Sequence, residues 1–226
     1  MGRPVRLMKP IIFCDFDGTI TNTDNIISIM KKFAPPEWEK LKDDVLQQKI
    51  SISSGVGEMF SLLDSGLKAD IIRFVKETAQ IRPGFRDFVE YSKQAGIPLY
   101  IVSGGMDFFI DPLVNDIFPT GAVFCNNAHF DKQKIYIEWP YACDDQCGNE
   151  CGCCKPSIMR QIAGADDFTY VIGDSVTDFE AAKQAGFVIA RDILLEKCIS
   201  EGLPHQGFET FYDVLDILKQ REEVKA

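Results

Sequence analysis

The feature that most constrains the fold is a series of short apolar runs, each followed directly by polar residues or glycine. The runs span residues 11–14, 98–102, 122–125, 169–172 and 187–190. Continuous apolar runs of this length are typical of strands buried on both faces, as in a parallel sheet. Helical patterns lie between them, at residues 85–95, 110–117, 157–162 and 178–185. This alternation predicts an α/β fold with a doubly wound parallel sheet, whose ligands bind beyond the carboxyl ends of the strands.

Two segments interrupt the alternation. Residues 22–81 lack strand runs and carry apolar residues at helical spacing, so we predict a helical insertion there. The remainder, residues 1–21 and 82–226, is then expected to form one core domain. Residues 128–139 alternate apolar and polar side chains, which predicts a β-hairpin that turns at residues 131–133.

Charge and hydropathy limit the classes of partner. The chain has 226 residues and a formal net charge of −10, which disfavours nucleic acid and anionic membranes as partners because the mean field repels both. No segment approaches the ~20 apolar residues that span a bilayer. The apolar run after the basic N-terminus is too short for a signal peptide, so we expect a cytoplasmic protein. The oligomeric state cannot be predicted from these features.

The segment Asp15-Phe16-Asp17-Gly18-Thr19 follows the first predicted strand. The carboxylate of Asp15 can attack phosphorus, because it is ionised at neutral pH and gains little from an activating base. Asp17 is placed to protonate a leaving oxygen and later to deprotonate water. The segment therefore predicts a nucleophile and an acid/base at one strand end, although a strand followed by an Asp/Gly turn would have the same sequence.

Two further segments supply groups that bind phosphate. Ser103-Gly104-Gly105 ends the second predicted strand, where a hydroxyl and free amides can hold phosphoryl oxygens. Lys155 precedes a predicted helix and provides a point cation for phosphate or for the nucleophile.

A pair of carboxylates, Asp174 and Asp178, follows the fourth predicted strand. Mg²⁺ prefers an octahedron of hard oxygens that includes a few carboxylates and several waters. Asp15, the main-chain carbonyl of Asp17, and Asp174 would meet that need. Asp178 would then act through water or orient Lys155. We therefore predict Mg²⁺ as the cofactor.

In these motifs the chain resembles the haloacid dehalogenase-like superfamily, and the hairpin resembles its phosphoserine-phosphatase-like branch. The family's four motifs match Asp15 with Asp17, Ser103, Lys155, and Asp174 with Asp178. The resemblance implies a Rossmann-like core, a helical cap at residues 22–81, and a phosphatase that forms an aspartyl-phosphate at Asp15. It also implies Asp17 as acid/base and Mg²⁺ between Asp15 and Asp174.

The cap is expected to decide which small phosphate ester is the substrate. In phosphoserine phosphatases a cap carboxylate pairs with the substrate ammonium and a cap arginine with its carboxylate. Asp24 matches the cap carboxylate, but Met59 stands where the cap arginine is expected. This disfavours phosphoserine as the substrate unless Arg73 or Lys49 replaces the arginine. A thioether can line an apolar or sulfur-containing tail. Asp24, Met59, Gly104 and Gly105 are thus the predicted substrate contacts.

A closer resemblance, to a methionine-salvage branch of the family, rests on the segments 24–27, 33–38, 103–109 and 151–157. It implies a phosphate ester with a methylthio tail and neither carboxylate nor ammonium. A phosphatase for another small ester such as phosphoserine, and a phosphotransferase, remain alternatives.

Five of the eight cysteines crowd together, at positions 143, 147, 151, 153 and 154. Their spacing lacks the paired C-x2-C pattern of common zinc sites. We expect reduced thiols that pack a loop beside Lys155, with a structural zinc or other soft metal and a disulfide as alternatives. A non-catalytic, cysteine-based metal or redox module is the rival functional class.

Overall fold

The computed structural model describes residues 8–131 and 133–223, so Lys132, within the predicted hairpin turn, lies outside the described residues. A seven-stranded sheet has the strand order β4-β3-β2-β1-β5-β6-β7. All its pairs are parallel except β3 with β4, which form the predicted hairpin. The strands are β1 (Lys9–Cys14), β2 (Leu99–Met106), β3 (Val123–Asp131), β4 (Lys134–Glu138), β5 (Asp167–Gly173), β6 (Phe187–Ala190) and β7 (His205–Gly207). The predicted α/β fold with a doubly wound parallel sheet is confirmed.

Helices connect the strands. The first four follow β1 without an intervening strand: α1 (Asn25–Phe33), α2 (Glu37–Leu46), α3 (Ile52–Ser61) and α4 (Lys68–Thr78). The remaining helices are α5 (Phe85–Gln94), α6 (Asp107–Val114), α7 (Lys155–Ile162), α8 (Phe179–Ala182), α9 (Asp192–Glu201) and α10 (Phe211–Glu223). Among the described residues, no helix has the length and apolarity needed to cross a membrane.

The sheet is covered on both faces, which explains its uninterrupted apolar strands. Side chains alternate between the two faces of a strand. In β1, Ile12 and Cys14 belong to the large apolar cluster that includes residues of α5 and α10. Ile11 and Phe13 belong to a second cluster with residues of α7 and α8. Both sets are buried, so no polar position was available to produce an alternating pattern.

The chain leaves and re-enters the core next to the end of β1. Thr21 and Ile81 form an isolated antiparallel bridge, and the N–H of Arg82 donates to the carbonyl of Ile20 at 2.8 Å. The two ends of the α1–α4 segment are therefore held together a few residues after Asp15 and Asp17.

The sequence placed several element ends incorrectly. β2 continues through the expected Ser103-Gly104-Gly105 turn to Met106, with a register shift against β3 between Val102 and Met106. As a result α6 begins at Asp107 instead of residue 110 and ends at Val114. The helix expected over residues 178–185 is confined to the four residues of α8. These ends depend on pairing with β3 and on local capping, which apolar periodicity does not report.

Candidate active site

The candidate site lies at the carboxyl ends of three adjacent strands. β1 is the central one, and β2 and β5 flank it. Asp15 directly follows β1, Ser103 lies in the last half of β2, and Asp174 directly follows β5. The N–H of Asp15 donates to the carbonyl of Ile172 in β5 at 2.9 Å, which continues the sheet pairing past the end of β1. Parallel pairing thus brings together side chains that are far apart in the sequence.

Lys155 is the centre of a buried charge network. It is the first residue of α7, and its Nζ donates to Oδ1 of Asp15 and to Oδ1 of Asp178. All three side chains are buried. Burial by itself lowers the pKa of Lys155, but the two carboxylates outweigh it and hold this pKa above its usual range. Lys155 is therefore a cation at neutral pH.

Asp178 has a positioning role that uses both of its oxygens. Oδ1 accepts from Lys155, and Oδ2 accepts from the backbone N–H groups of Asp174 and Ser175 at 3.2 and 3.1 Å. Asp178 and Ser175 together form a capping box at the short 3-10 helix Val176–Asp178. The carboxylate thus fixes the loop after β5 relative to the lysine.

The residues fit the magnesium site that the motifs predict. Carboxylate oxygens of Asp15, Asp174 and Asp178 all lie within 4.8 Å of one another. One ammonium, that of Lys155, contacts this group of three carboxylates, so negative charge exceeds positive charge by two. Burial, and next the charge of Asp178, raises the pKa of Asp174 to about 6. Burial also raises the pKa of Asp15, against the opposing effect of Lys155. A hard dication would supply the missing positive charge.

Asp17 lies beside this cluster but has different partners. Its Oδ1 accepts from the backbone N–H and the Nδ2 of Asn25, at 3.0 and 2.6 Å. Its Oδ2 accepts from Oγ of Ser103 at 3.3 Å. Burial, followed by the charge of nearby Asp24, raises the pKa of Asp17 to about 7. Asp17 can therefore hold or release a proton near neutral pH, as a general acid and base must.

Ser103 and the two glycines after it form one side of the site. The N–H of Gly105 donates to Oγ of Ser103 at 2.9 Å. A Cβ on Gly105 would lie 2.8 Å from Oδ2 of Asp17, so only glycine fits there. Asn126 of β3 donates from Nδ2 to the carbonyl of Gly104 at 2.9 Å, while its Oδ1 is buried with no partner in the described structure. The backbone of β2 thus approaches Asp17 closely.

The two cap residues predicted to contact substrate occupy different environments. Asp24 is exposed and caps α1, its Oδ1 accepting from the N–H of Ile27 at 2.9 Å. It lies near enough to Asp17 to affect that residue's pKa. Met59, on α3, is only 3% exposed and belongs to the large apolar cluster. The structure therefore places Asp24 near Asp17 and Met59 within the apolar packing of the α1–α4 helices.

Four further residues, which the motifs did not predict as site residues, hold the site together. Arg82 donates to the carbonyls of Thr19 and Gly18, both at 2.7 Å, and so fixes the loop after β1. Thr19 donates from Oγ1 to Oδ1 of Asp174 at 2.9 Å. Asn25 and Asn126 are the other two. The sequence carried partial signals for all four. Thr19 stands in the Asp15–Thr19 motif, Arg82 directly follows the predicted insertion, Asn25 lies in the segment 24–27, and Asn126 directly follows the apolar run 122–125.

Comparison with known proteins agrees with this geometry. The sequence profile of the family described as haloacid dehalogenase-like hydrolase matches residues 12–183. The chain belongs to this family, as its motifs predicted. It is 56% identical over 214 residues to the 2-hydroxy-3-keto-5-methylthiopentenyl-1-phosphate phosphatase of Geobacillus kaustophilus, covering 95% of this chain and 97% of that protein. The protein of the same name from Geobacillus thermodenitrificans is 55% identical with the same coverage.

Among solved structures, a substrate-bound phosphoserine phosphatase complex matches with a TM-score of 0.70 and 20% identity, covering 92% of this chain and 98% of that one. At this identity the likeness establishes the shared fold alone.

Gly18 provides a test of how closely the site is packed. Its φ is +83°, and a Cβ there would lie 2.3 Å from Oδ2 of Asp174. We expect Gly18→Ala to displace that carboxylate and to lower the rate of phosphate release about 10²-fold, as misplacement by about an ångström does elsewhere. Steady-state phosphate release measures the effect.

The matched control is Gly96→Ala, because Gly96 also has a positive φ, of +67°, but has nothing within 4 Å of the added Cβ. It should lower the free energy of unfolding by about 1 kcal/mol and leave turnover unchanged. Equal activity of the two variants would show that the contact with Asp174 does not matter.

Proposed function

We propose that this chain is a magnesium-dependent phosphomonoesterase that works through an aspartyl-phosphate on Asp15. The observation that carries this proposal is the buried contact of Lys155 with Asp15 and Asp178, beside the carboxylate of Asp174. A buried network of this kind costs desolvation energy that packing alone would avoid. Its position at the strand ends, where ligands of doubly wound sheets bind, favours catalysis as the reason for it.

Each proposed step uses a residue of this chain. An Oδ of Asp15 forms a bond to phosphorus as the bond from phosphorus to the ester oxygen breaks, and Asp17 gives its proton to that leaving oxygen. Asp17, now ionised, then takes a proton from water, whose oxygen attacks phosphorus and releases Asp15 and inorganic phosphate. Ser103, Lys155 and the amide of Gly104 are proposed to hold the phosphoryl oxygens. The N–H of Gly105, which donates to Oγ of Ser103, is proposed to orient that hydroxyl.

The residues proposed to hold Mg²⁺ are Asp15, the main-chain carbonyl of Asp17, and Asp174. Asp178 is proposed to act through water, while it orients Lys155. When bound, the ion supplies positive charge that stabilises the charge on the phosphoryl oxygens. The carboxylates and Lys155 would position the phosphoryl group between the nucleophile and the acid.

We propose residues 22–81 as the cap that selects the substrate. A phosphoserine phosphatase needs a cation for the substrate carboxylate, and the two candidates are engaged elsewhere. Arg73 pairs with Asp70 on its own helix, and Lys49 lies 3.3 Å (Nζ to Oδ1) from Asp44. Both are more than half exposed. Their placement supports an uncharged substrate tail.

For the substrate we propose 2-hydroxy-3-keto-5-methylthiopentenyl-1-phosphate, which names the relatives that match over nearly the full chain. Its methylthio tail requires no cation in the cap. This agrees with the methionine at position 59, where a phosphoserine phosphatase is expected to have an arginine. A small-molecule ester as the partner, without nucleic acid or membrane, accords with the net charge of −10. A cytoplasmic location is part of the same proposal.

The nucleophile is tested by Asp15→Asn. We expect phosphate release to fall about 10³-fold or more, because the amide cannot form the acyl phosphate. Wild-type protein quenched in acid during turnover should carry one added phosphoryl group by mass spectrometry, and the variant none. Asp216→Asn, at an exposed position of α10, serves as the control. Retained turnover in Asp15→Asn would refute Asp15 as the nucleophile, and a wild type that releases no phosphate would favour the non-catalytic module. Phosphate release that survives EDTA undiminished would refute the requirement for Mg²⁺.

The pH dependence tests Asp17. As an acid Asp17 must be protonated, so kcat/KM should fall as the pH rises through its pKa of about 7. Asn25→Ala removes the Nδ2 donor that stabilises the ionised form. The pKa should therefore rise, moving the alkaline limb upward by about 0.5–1 pH unit. Asn22→Ala, at an exposed position, should leave the limb in place. A downward shift would contradict the assignment of Asp17.

The substrate is tested by comparing phosphate release from the proposed ester and from phosphoserine in the presence of Mg²⁺. We expect kcat/KM for the methylthio ester to exceed that for phosphoserine about 10²-fold or more, since the cap offers no free cation at the predicted position. A preference for phosphoserine would overturn the substrate assignment and leave the chemical mechanism standing.

A further inference from the structure

Four thiols of the loop between β4 and α7 lie close together, and we call them the thiol cluster: Cys143, Cys147, Cys151 and Cys154. Their Sγ atoms all lie within 4.8 Å of one another, and those of Cys147 and Cys151 are 3.9 Å apart. Four Zn–S bonds of about 2.3 Å in a tetrahedron would place the sulfurs about 3.8 Å apart. The thiol cluster therefore has the ligand number and approximate size of a tetrathiolate zinc site.

Burial separates the thiol cluster from the other cysteines. Cys143, Cys147 and Cys151 are half-buried, and within the cluster only Cys154 is buried. The remaining four cysteines are all buried, as is usual for thiols that serve as small apolar side chains: Cys14, Cys125, Cys153 and Cys198. Packing alone does not explain why three partly accessible thiols lie against a fourth.

The structure also shows which cysteines belong to the cluster, and this removes the objection to zinc that their spacing had raised. Cys153 is not part of the thiol cluster, since its Sγ donates to the carbonyl of Phe124 at 3.7 Å. Without it, Cys151 and Cys154 form a C-x2-C pair, a spacing that is common among zinc ligands. The N–H of Cys151 points at Sγ of Cys143 at 3.4 Å, the kind of outer contact that orients a metal ligand.

The charges around the thiol cluster suit a bound dication. Four thiolates and one Zn²⁺ carry a net charge of −2, and Arg160 of α7 is within electrostatic range of Cys147 and Cys154. The guanidinium is held there by Asp144, whose oxygens accept from Nε at 2.8 Å and from Nη2 at 2.5 Å. A soft tetrahedral set of four sulfurs selects zinc over hard ions such as magnesium.

From this geometry we propose that Cys143, Cys147, Cys151 and Cys154 bind one structural zinc ion, distinct from the acidic site at Asp15. Cys154 directly precedes Lys155 and caps α7. A metal bound there ties the loop to the residue that contacts the nucleophile. The same loop reaches the cap, because the N–H of Ser53 in α3 donates to the carbonyl of Glu150 at 3.2 Å.

The metal content of the full-length protein tests the site. Protein produced with added zinc and purified without chelator should hold one zinc per chain by inductively coupled plasma mass spectrometry. Cys147→Ser should lower this content about 10-fold or more, as loss of a ligand implies. Cys153→Ser, a thiol of the same loop outside the cluster, should keep the zinc. Asp15→Asn should keep it too, which separates this ion from one bound at the acidic site.

A second measurement covers the case in which a cysteine variant fails to fold. Wild-type protein stripped of metal and titrated with Co²⁺ should develop the intense visible bands of tetrahedral cobalt and thiolate-to-cobalt charge transfer in the near ultraviolet. The proposal is overturned if the wild type binds neither zinc nor cobalt, if it holds iron instead, or if denatured protein shows fewer than its eight thiols because disulfides have formed. Zinc retained by Cys147→Ser would overturn it as well.

Discussion

The ammonium of Lys155, buried between Asp15 and Asp178, is the interaction on which the rest of the site depends. A buried ion is tolerated only where its partners and their hydrogen bonds replace the lost water. Asp178 meets this condition by accepting backbone N–H groups with its second oxygen. The network therefore fixes the end of β1, the start of α7 and the loop after β5 relative to one another, and that arrangement positions the carboxylates of Asp15 and Asp174.

A second set of contacts connects this network to the helices inserted after β1. Asn25, at the start of α1, binds Asp17, so the first cap helix directly contacts the proposed acid. Arg82, at the return to the core, holds the carbonyls of the loop that carries Gly18 and Thr19. A movement of α1 would therefore change the hydrogen bonds of Asp17 directly. These contacts join the proposed substrate-selecting helices to the proposed acid and base.

The loop between β4 and α7 gives Lys155 a third support. Trp139, directly after β4, lies against the backbone of Gly152, where an added Cβ would come within 2.8 Å of the indole ring. Asp144 pairs with Arg160, which lies in α7 between one and two turns after Lys155. The zinc ion that we propose would join these contacts into one rigid unit. The position of the central lysine would then depend on sulfur ligands as well as on carboxylates.

The sequence alone determined the sheet and the groups that we propose as catalytic. Apolar runs buried on both faces have a one-dimensional signature. Asp15 and Asp174 directly follow such runs, and Lys155 lies at the start of a predicted helix. The sequence did not reveal the partners of these groups. Asn25 and Asn126 lie in segments that the sequence marks, but their contacts with Asp17 and Gly104 exist only once the strands are assembled. The ends of β2 and α6 likewise depend on pairing with β3. Only the tertiary structure decided which four cysteines meet, because sulfur-to-sulfur distance is set by the path of the loop and not by spacing along the chain.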